Sequence, residues 1–420
     1  MNGRISKRLT QFLLLWALAL SLATVATATA SAAGLSGTRE SLARDLRGAS
    51  SGTGAVAVDL DTGDVLVNAG GRRRLVPASV NKLYTTSTLL RRFGPGARLA
   101  TRVLADDYID ATGTMPGNLY LRGAGDPTFG SQQAKLLARA LADAGLTTID
   151  GAVVGDESAF DALRGPPSEG FRTSRWVGPL SALTYDRGRL AGSWRFQAKP
   201  PLFAAQRFEA LLRRQGVHVS RPARAGSAPA DAIELTRLNS PTMAQLSTIT
   251  NVPSDNYSAE ILLKALGESF GGSGSTAAGA SVVRSSAEEF GINPQVVDGS
   301  GLSRSNRTSA REVVTLLSAM ADSGESAAFK HSLALAGRTG TIGKRMRSTV
   351  AAGRCRAKTG TLIGVSTLAG YCTTTSGSRV AFAFLMNGIN VYRARLLQDR
   401  LTATLAAYSP KRRLSVAAAR

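Results

Sequence analysis

Ser79 and Lys82 stand three residues apart in PASVNKLYTT, at the predicted start of a helix that runs to about Arg92. At that spacing two helical side chains share a face. A serine hydroxyl needs a base to become a nucleophile, and a lysine can be that base when burial or a nearby cation lowers its pKa. The first helical turn adds free N–H groups and the positive end of the dipole, which favour developing negative charge. Two other stretches offer matching chemistry. NVPSDNYSAE places Ser254, Asp255 and Asn256 on a loop that opens a helix, and RAKTGT places Lys358, Thr359, Gly360 and Thr361 on a strand. A strand lysine can hold a carboxylate, the threonine hydroxyls can share it, and glycine lets a substrate approach the backbone. Each motif alone also describes something ordinary: a helix cap, a surface charge, a basic edge strand.

The bases that usually serve a serine nucleophile are scarce. There are two histidines. His218 falls in the alternating stretch GVHVS, read as a partly buried strand position, and His331 falls in a predicted helix without metal-type spacing. A zinc site has too few ligands, and a Ser-His-Asp triad would rest on one unsupported residue. No metal or cofactor is expected, and a nucleophilic serine here would need some base other than histidine.

The elements that must position these residues are legible in outline. SGTGAVAVDLDTGDVLVNAG reads as a hairpin turning at Asp61–Gly63. From residue 98 to 239 the texture changes to short strands, turns and one helix, SQQAKLLARALADAG, which reads as a β-rich insert. From Ser240 the pattern is helical, with GGSGSTAAG as a loop between helices. RAKTGTLIGVSTLAGYCTTTSGSRVAFAFLMNG then gives three strands, and VYRARLLQDRLTATLAAY a last amphipathic helix. These elements predict an α+β body from residues 35–97 and 240–410, with a five-stranded antiparallel sheet flanked by helices. The insert hangs from that body, and residues 411–420 form a basic tail. The midpoint of Cys355 and Cys372 falls between Ile363 and Gly364, where the turn between two strands is placed independently. Antiparallel pairing therefore sets the cysteines opposite each other and predicts a cross-strand disulfide.

The first 32 residues have a basic start (Arg4, Lys7, Arg8), an apolar run from Phe12, and small residues at Ala28, Ala30 and Ala32. That is the layout of a cleaved secretory signal peptide, with an uncleaved N-terminal anchor as the alternative. An exported chain meets an oxidising compartment, which suits the disulfide. The formal net charge of +22 directs such a chain toward anionic wall polymers or lipid headgroups. Nucleic acid would be out of reach.

Ser-x-x-Lys, Ser-x-Asn and Lys-Thr-Gly, in that order, form the set shared by penicillin-binding proteins and class A β-lactamases. With PASVNKL, GNLYLRGAGDPTF, VGDESAFD, GPLSALTYDRG, NVPSDN, VVDGSGLSRSNRTS, LALAGRTGTIGKR and RAKTGTLIGVSTLAGY, the chain resembles one group in particular. These are the low-molecular-mass class C penicillin-binding proteins, the serine D-Ala-D-Ala carboxypeptidases of the S13 peptidase family. The resemblance runs from about Gly54 to Asn387.

It implies a transpeptidase-like fold in which Ser79 forms an acyl-enzyme on peptidoglycan stem peptides and releases the terminal D-Ala, with cross-link cleavage in some members. β-Lactams would be covalent inhibitors. Lys82, Ser254 and Lys358 would form a proton relay around Ser79, with Asn256 on the substrate amide. The N–H groups of Ser79 and Thr361 would bind the oxyanion. Lys358, Thr359 and Thr361, with Gly360 between them, would receive the terminal carboxylate, and Asp126 and Arg304 the diamino-acid side chain. The stretch between Ser79 and Ser254 is shorter than in larger members, so a nested third domain is expected to be reduced or absent. A class A β-lactamase, with Glu289 as deacylating base, and a catalytically silent wall-binding protein are the rival readings.

Overall fold

Two sheets organise the residues described by the computed structural model, 34–410; the expected leader and basic tail lie outside them. The chain opens with α1 (Leu35–Leu46), β1 (Thr53–Asp59) and β2 (Val65–Ala69), then a 3-10 turn (Ala78–Asn81) that runs into α2 (Lys82–Phe93). There follow β3 (Ala100–Ala105), β4 (Thr114–Met115), β5 (Leu119–Arg122), α3 (Ser131–Asp143), β6 (Thr148–Asp156), α4 (Pro200–Arg214), β7 (His218–Ala225) and β8 (Ile233–Asn239). Four helices come next: α5 (Met243–Asn251), α6 (Asn256–Phe270), α7 (Thr276–Glu288) and α8 (Ala310–Ala321). The chain closes with α9 (Ser326–His331), β9 (Ala334–Leu335), β10 (Cys355–Leu362), β11 (Val365–Thr373), β12 (Arg379–Asn387) and α10 (Val391–Ala406).

The first sheet has the order β2-β1-β12-β11-β10-β9 and is antiparallel throughout. It is buried on both faces, which is why β12 reads as the nearly continuous apolar run VAFAFLM. Alternation sorts its side chains: Phe382 and Phe384 pack with Leu42, Leu401 and Tyr408 on one face. Ala381, Ala383 and Leu385 face the core of the central helices, with Leu83, Leu262 and Leu317, on the other. The five expected strands are joined by a sixth, the two-residue β9, which pairs with Arg356 and Ala357 at the edge. Cys355 and Cys372 are direct cross-strand partners and are bonded, and the turn between their strands is Ile363–Gly364.

The second sheet, order β4-β6-β5-β3-β8 with β7 also on β6, is mixed: β6 lies parallel to β4, β5 and β7. Two helices pack on it through Leu137, Leu141, Phe208 and Leu212, so the stretch is α/β where one helix among strands was expected. The second of these, α4, begins with two prolines at its first turn, a start that Pro tolerates because the first N–H groups are unbonded anyway. Its apolar residues Phe203, Ala204, Phe208, Leu211 and Leu212 then follow helical spacing. His218 is exposed on β7 rather than partly buried.

Candidate active site

Ser79 lies in the 3-10 turn, and Lys82 is the first residue of α2. The expectation was a regular α-helix from Ser79. The tighter turn matters because side chains at i and i+3 eclipse in a 3-10 helix, stacking the amine over the hydroxyl. Lys82 Nζ donates to Ser79 Oγ at 3.0 Å. The turn is entered through Ala78 at φ 46°, a left-handed conformation that L-residues rarely adopt. It is wedged by Gly301, where a Cβ would stand 1.9 Å from the Ala78 carbonyl oxygen.

Lys82 is fully buried, and its amine has two further acceptors: Asn256 Oδ1 at 2.8 Å and the Ser300 carbonyl at 2.6 Å. Burial brings its pKa down to about 8, against the opposing pull of Glu260, Asp298 and Asp255. A lysine in that range can exchange a proton near neutrality, as a base must. Asn256 begins α6; because Oδ1 is taken by Lys82, its NH2 group remains the donor it can offer a substrate. Asp255 caps the same helix, accepting from Ser258 N–H at 2.6 Å, and pairs with Arg187 at 2.5 Å. Ser254 stands between α5 and α6 at φ 64°. Its hydroxyl has no hydrogen-bond partner among the described residues, so the expected relay is not closed by direct contacts.

The third motif arrives from the sheet. Lys358 is fully buried, donates to the Thr359 carbonyl at 2.8 Å, and is held well below the usual lysine range by burial and then by the charge of Lys82. Gly360 presses on the 3-10 turn: a Cβ there would meet Thr367 Oγ1 at 2.2 Å, Pro77 O at 2.7 Å and Ser79 N at 2.9 Å. The glycine therefore lets β10 approach the nucleophile's backbone, a packing role beside the substrate access expected of it. Thr359 Oγ1 donates to Thr341 Oγ1 at 2.8 Å, and Thr361 Oγ1 accepts from Arg395 at 3.2 Å.

Asp126 and Arg304 are not joined to each other. Asp126 is buried, accepts from Thr128 N–H at 2.8 Å and its hydroxyl at 2.7 Å, and is pushed up by burial. Arg304 donates to the Ile363 carbonyl at 2.6 Å, beside a cavity of about 480 Å³ that Glu169, Trp176 and Leu362 also line. Glu289 pairs with Arg91 at 2.7 Å and Arg92 at 2.5 Å. Those arginines are at the far end of α2, roughly 14 Å along the axis from the Ser79 turn at the helical rise. Glu289 cannot serve a reaction at Ser79 from there.

Sequence reasoning missed Glu260, Asp298 and Ser300, which surround Lys82. The available signal was that Glu260 follows Asn256 by one helical turn on the same face.

A half-buried serine hydrogen-bonded to a fully buried lysine, set between a helical layer and an antiparallel sheet, defines a serine hydrolase that works by acyl transfer. The chain belongs to the D-Ala-D-Ala carboxypeptidase 3 (S13) family, which it matches over residues 39–198 and 187–408. It is 30% identical over 441 aligned residues to the D-alanyl-D-alanine carboxypeptidase of Actinomadura sp. R39, covering 85% of this chain and 81% of the relative. Carboxypeptidase DacB of Mycolicibacterium smegmatis is 29% identical over 381 residues, covering 83% and 78%. The crystal structure of penicillin binding protein 4 from Haemophilus influenzae shares the fold with a TM-score of 0.75, at 21% identity, over 87% of this chain and 98% of that one. Among the described residues no helix is long and apolar enough to cross a membrane.

Proposed function

We propose that the protein is a serine D-Ala-D-Ala carboxypeptidase of peptidoglycan stem peptides, with Ser79 as nucleophile and Lys82 as its base. The observation that carries this reading is the 3.0 Å hydrogen bond from a fully buried Lys82 to Ser79 Oγ. Neutral Lys82 takes the Ser79 proton as Oγ attacks the penultimate D-Ala carbonyl. The oxyanion meets the N–H groups of Ser79 and Thr361, and the NH2 of Asn256 holds the substrate amide. Lys358, Thr359 and Thr361 receive the terminal carboxylate, the interaction that selects a free C-terminus. As the C–N bond breaks, the proton returns to the leaving amine through Lys82 and Ser254, and D-Ala departs. Water then releases the acyl group. Penicillin would follow the same first step and remain on Ser79, and cleavage of cross-links is the same chemistry on a longer leaving group.

In this reading Asp126 and Arg304 accommodate the diamino-acid side chain, residues 98–239 form a distinct domain inserted in the catalytic body, and the leader directs the chain to the extracytoplasmic side where peptidoglycan lies. Its strong positive charge suits peripheral association with anionic wall polymers or lipid headgroups. Purified protein incubated with a stem peptide ending in D-Ala-D-Ala is expected to release D-Ala and to take up labelled penicillin at Ser79. Rapid penicillin turnover would instead indicate a β-lactamase, and neither release nor labelling would indicate a silent wall-binding protein.

A further inference from the structure

Two buried carboxyl groups beside Lys82 have no part in the bond-making steps. Glu260 is one turn beyond Asn256 on α6, so a single helix face carries the amide that holds Lys82 and then a carboxyl group. Glu260 is fully buried; Oε1 accepts from Ser300 N–H at 2.8 Å and Oε2 from Gly299 N–H at 3.2 Å. Ser300 in turn gives its carbonyl to Lys82 Nζ at 2.6 Å. One residue thus receives Glu260 on its N–H and Lys82 on its carbonyl.

Asp298 fixes the other side of this loop, accepting from Gly301 N–H at 2.8 Å, Ser303 N–H at 2.6 Å and Asn306 Nδ2 at 2.8 Å. Asn81, next to Lys82, donates to the Asp298 carbonyl at 2.7 Å. Glu260 has no lysine or arginine within ion-pair distance among the described residues. A buried carboxylate without a contacting cation is costly, and burial together with the neighbouring Asp298 pushes the Glu260 carboxyl up to about 7. Above that pH it carries its charge and faces Lys82 through Ser300.

We propose that Glu260 is a positioning residue for acylation: it clamps Ser300 so that its carbonyl holds Lys82, and its negative charge governs how readily Lys82 gives up its proton. The inference rests on the acyl-transfer reading above. The groups around Lys82 are Ser79 from the 3-10 turn, Asp255, Asn256 and Glu260 from the start of α6, Asp298 and the Ser300 carbonyl from the loop, and Lys358 from β10. Of these, Glu260 acts most strongly to keep Lys82 protonated. During acylation Lys82 takes the Ser79 proton while the Oγ–C bond forms, and the proton reaches the leaving amine by way of Ser254 as the C–N bond breaks. Glu260 gains and loses none.

The test compares wild type, Glu260→Gln and Glu260→Asp by the pH dependence of second-order penicillin acylation and by NMR titration of Lys82 in protein labelled at the lysine side chain. Removing the charge is expected to move the acidic limb, and the Lys82 titration with it, to lower pH by about half to one unit. Glu260→Asp keeps the charge and is expected to keep the limb at the wild-type pH while lowering the rate. A Glu260→Gln protein that is slower at every pH with an unmoved limb and titration overturns the proposal, since a purely structural role would do that. The titration needs no turnover: if wild type is not acylated, the acyl-transfer reading fails by itself, while the shift at Lys82 still decides the inference. Should Glu260→Gln fail to fold, Glu260→Ala removes the same charge, and an unmoved Lys82 titration there overturns the proposal equally.

Discussion

In the proposed mechanism Lys82 has to be a buried cation at rest and a neutral base in the reaction, and its surroundings pull toward both states. Its three hydrogen-bond acceptors favour the ammonium form, while burial favours the amine and brings the pKa to about 8. The base form accumulates as pH rises, so kcat/KM for acylation is expected to climb through an acidic limb centred near pH 8, measured as the rate of penicillin labelling. A limb centred in the ordinary carboxylate range would assign the base to another group. Lys82→Ala is expected to lower the labelling rate by about 10²–10⁴-fold, the usual worth of a general base. That Ser79, Lys82, Asn256 and Lys358 lie together was legible because motif order specifies them jointly. Glu260 and Asp298 were not. A glutamate in a helix and an aspartate in a loop read as solvated charges, and only the tertiary fold buries both beside Lys82.

At the scale of elements, the site is set by how closely β10 approaches the 3-10 turn. Gly360→Ala would put a methyl group within 2.2 Å of Thr367 Oγ1 and 2.9 Å of Ser79 N, so strand and turn must separate. Overpacking of this kind costs about 1–3 kcal/mol of stability. The larger expected effect is a loss of penicillin labelling of about 10²-fold, since small displacements of reacting groups are that expensive. Retained labelling at normal rate would show that the approach is not needed. The disulfide acts on the same hairpin from its other end. Replacing both cysteines by serine is expected to lower unfolding stability by about 2–3 kcal/mol in urea, because the closed loop is short. Labelling should change less than about threefold, because cross-strand hydrogen bonds still set the register that places Lys358. The hairpin was readable from the sequence because strand period and cysteine positions independently give one register. The 3-10 turn was not, since nothing in PASVNK announces the left-handed Ala78 that Gly301 and Gly360 enforce from distant parts of the chain. Helix α4, which the reading of residues 98–239 did not include, begins on paired prolines at its first turn, where the first N–H groups are unbonded anyway.

Across the whole molecule, the stretch that carries the second sheet is tied to the catalytic helices by two charged contacts. Lys264, fully buried on α6, donates to Asp161 at 2.5 Å and to the Leu163 carbonyl at 3.0 Å, in the segment that follows β6. Arg187, from the segment before α4, pairs with Asp255 and lies 4.8 Å from the centre of the Tyr257 ring. The second tie reaches the loop that carries Ser254 and Asn256, so it couples the position of the inserted residues to the site. Both partners are partly exposed, at 38% and 23%, which limits the ion pair to about 1 kcal/mol of global stability. Arg187→Ala should therefore leave the urea midpoint almost unchanged. Asp255 would keep its cap on α6 but lose the contact that sets the loop from outside, and Ser254 sits in a backbone conformation that needs such support. Penicillin labelling is expected to fall about five- to tenfold, or about 1–1.4 kcal/mol in the barrier. A loss of activity that only follows a lowered unfolding midpoint would make Arg187 a general stabiliser. A loss of activity at unchanged midpoint would locate its effect at the Ser254–Asn256 loop.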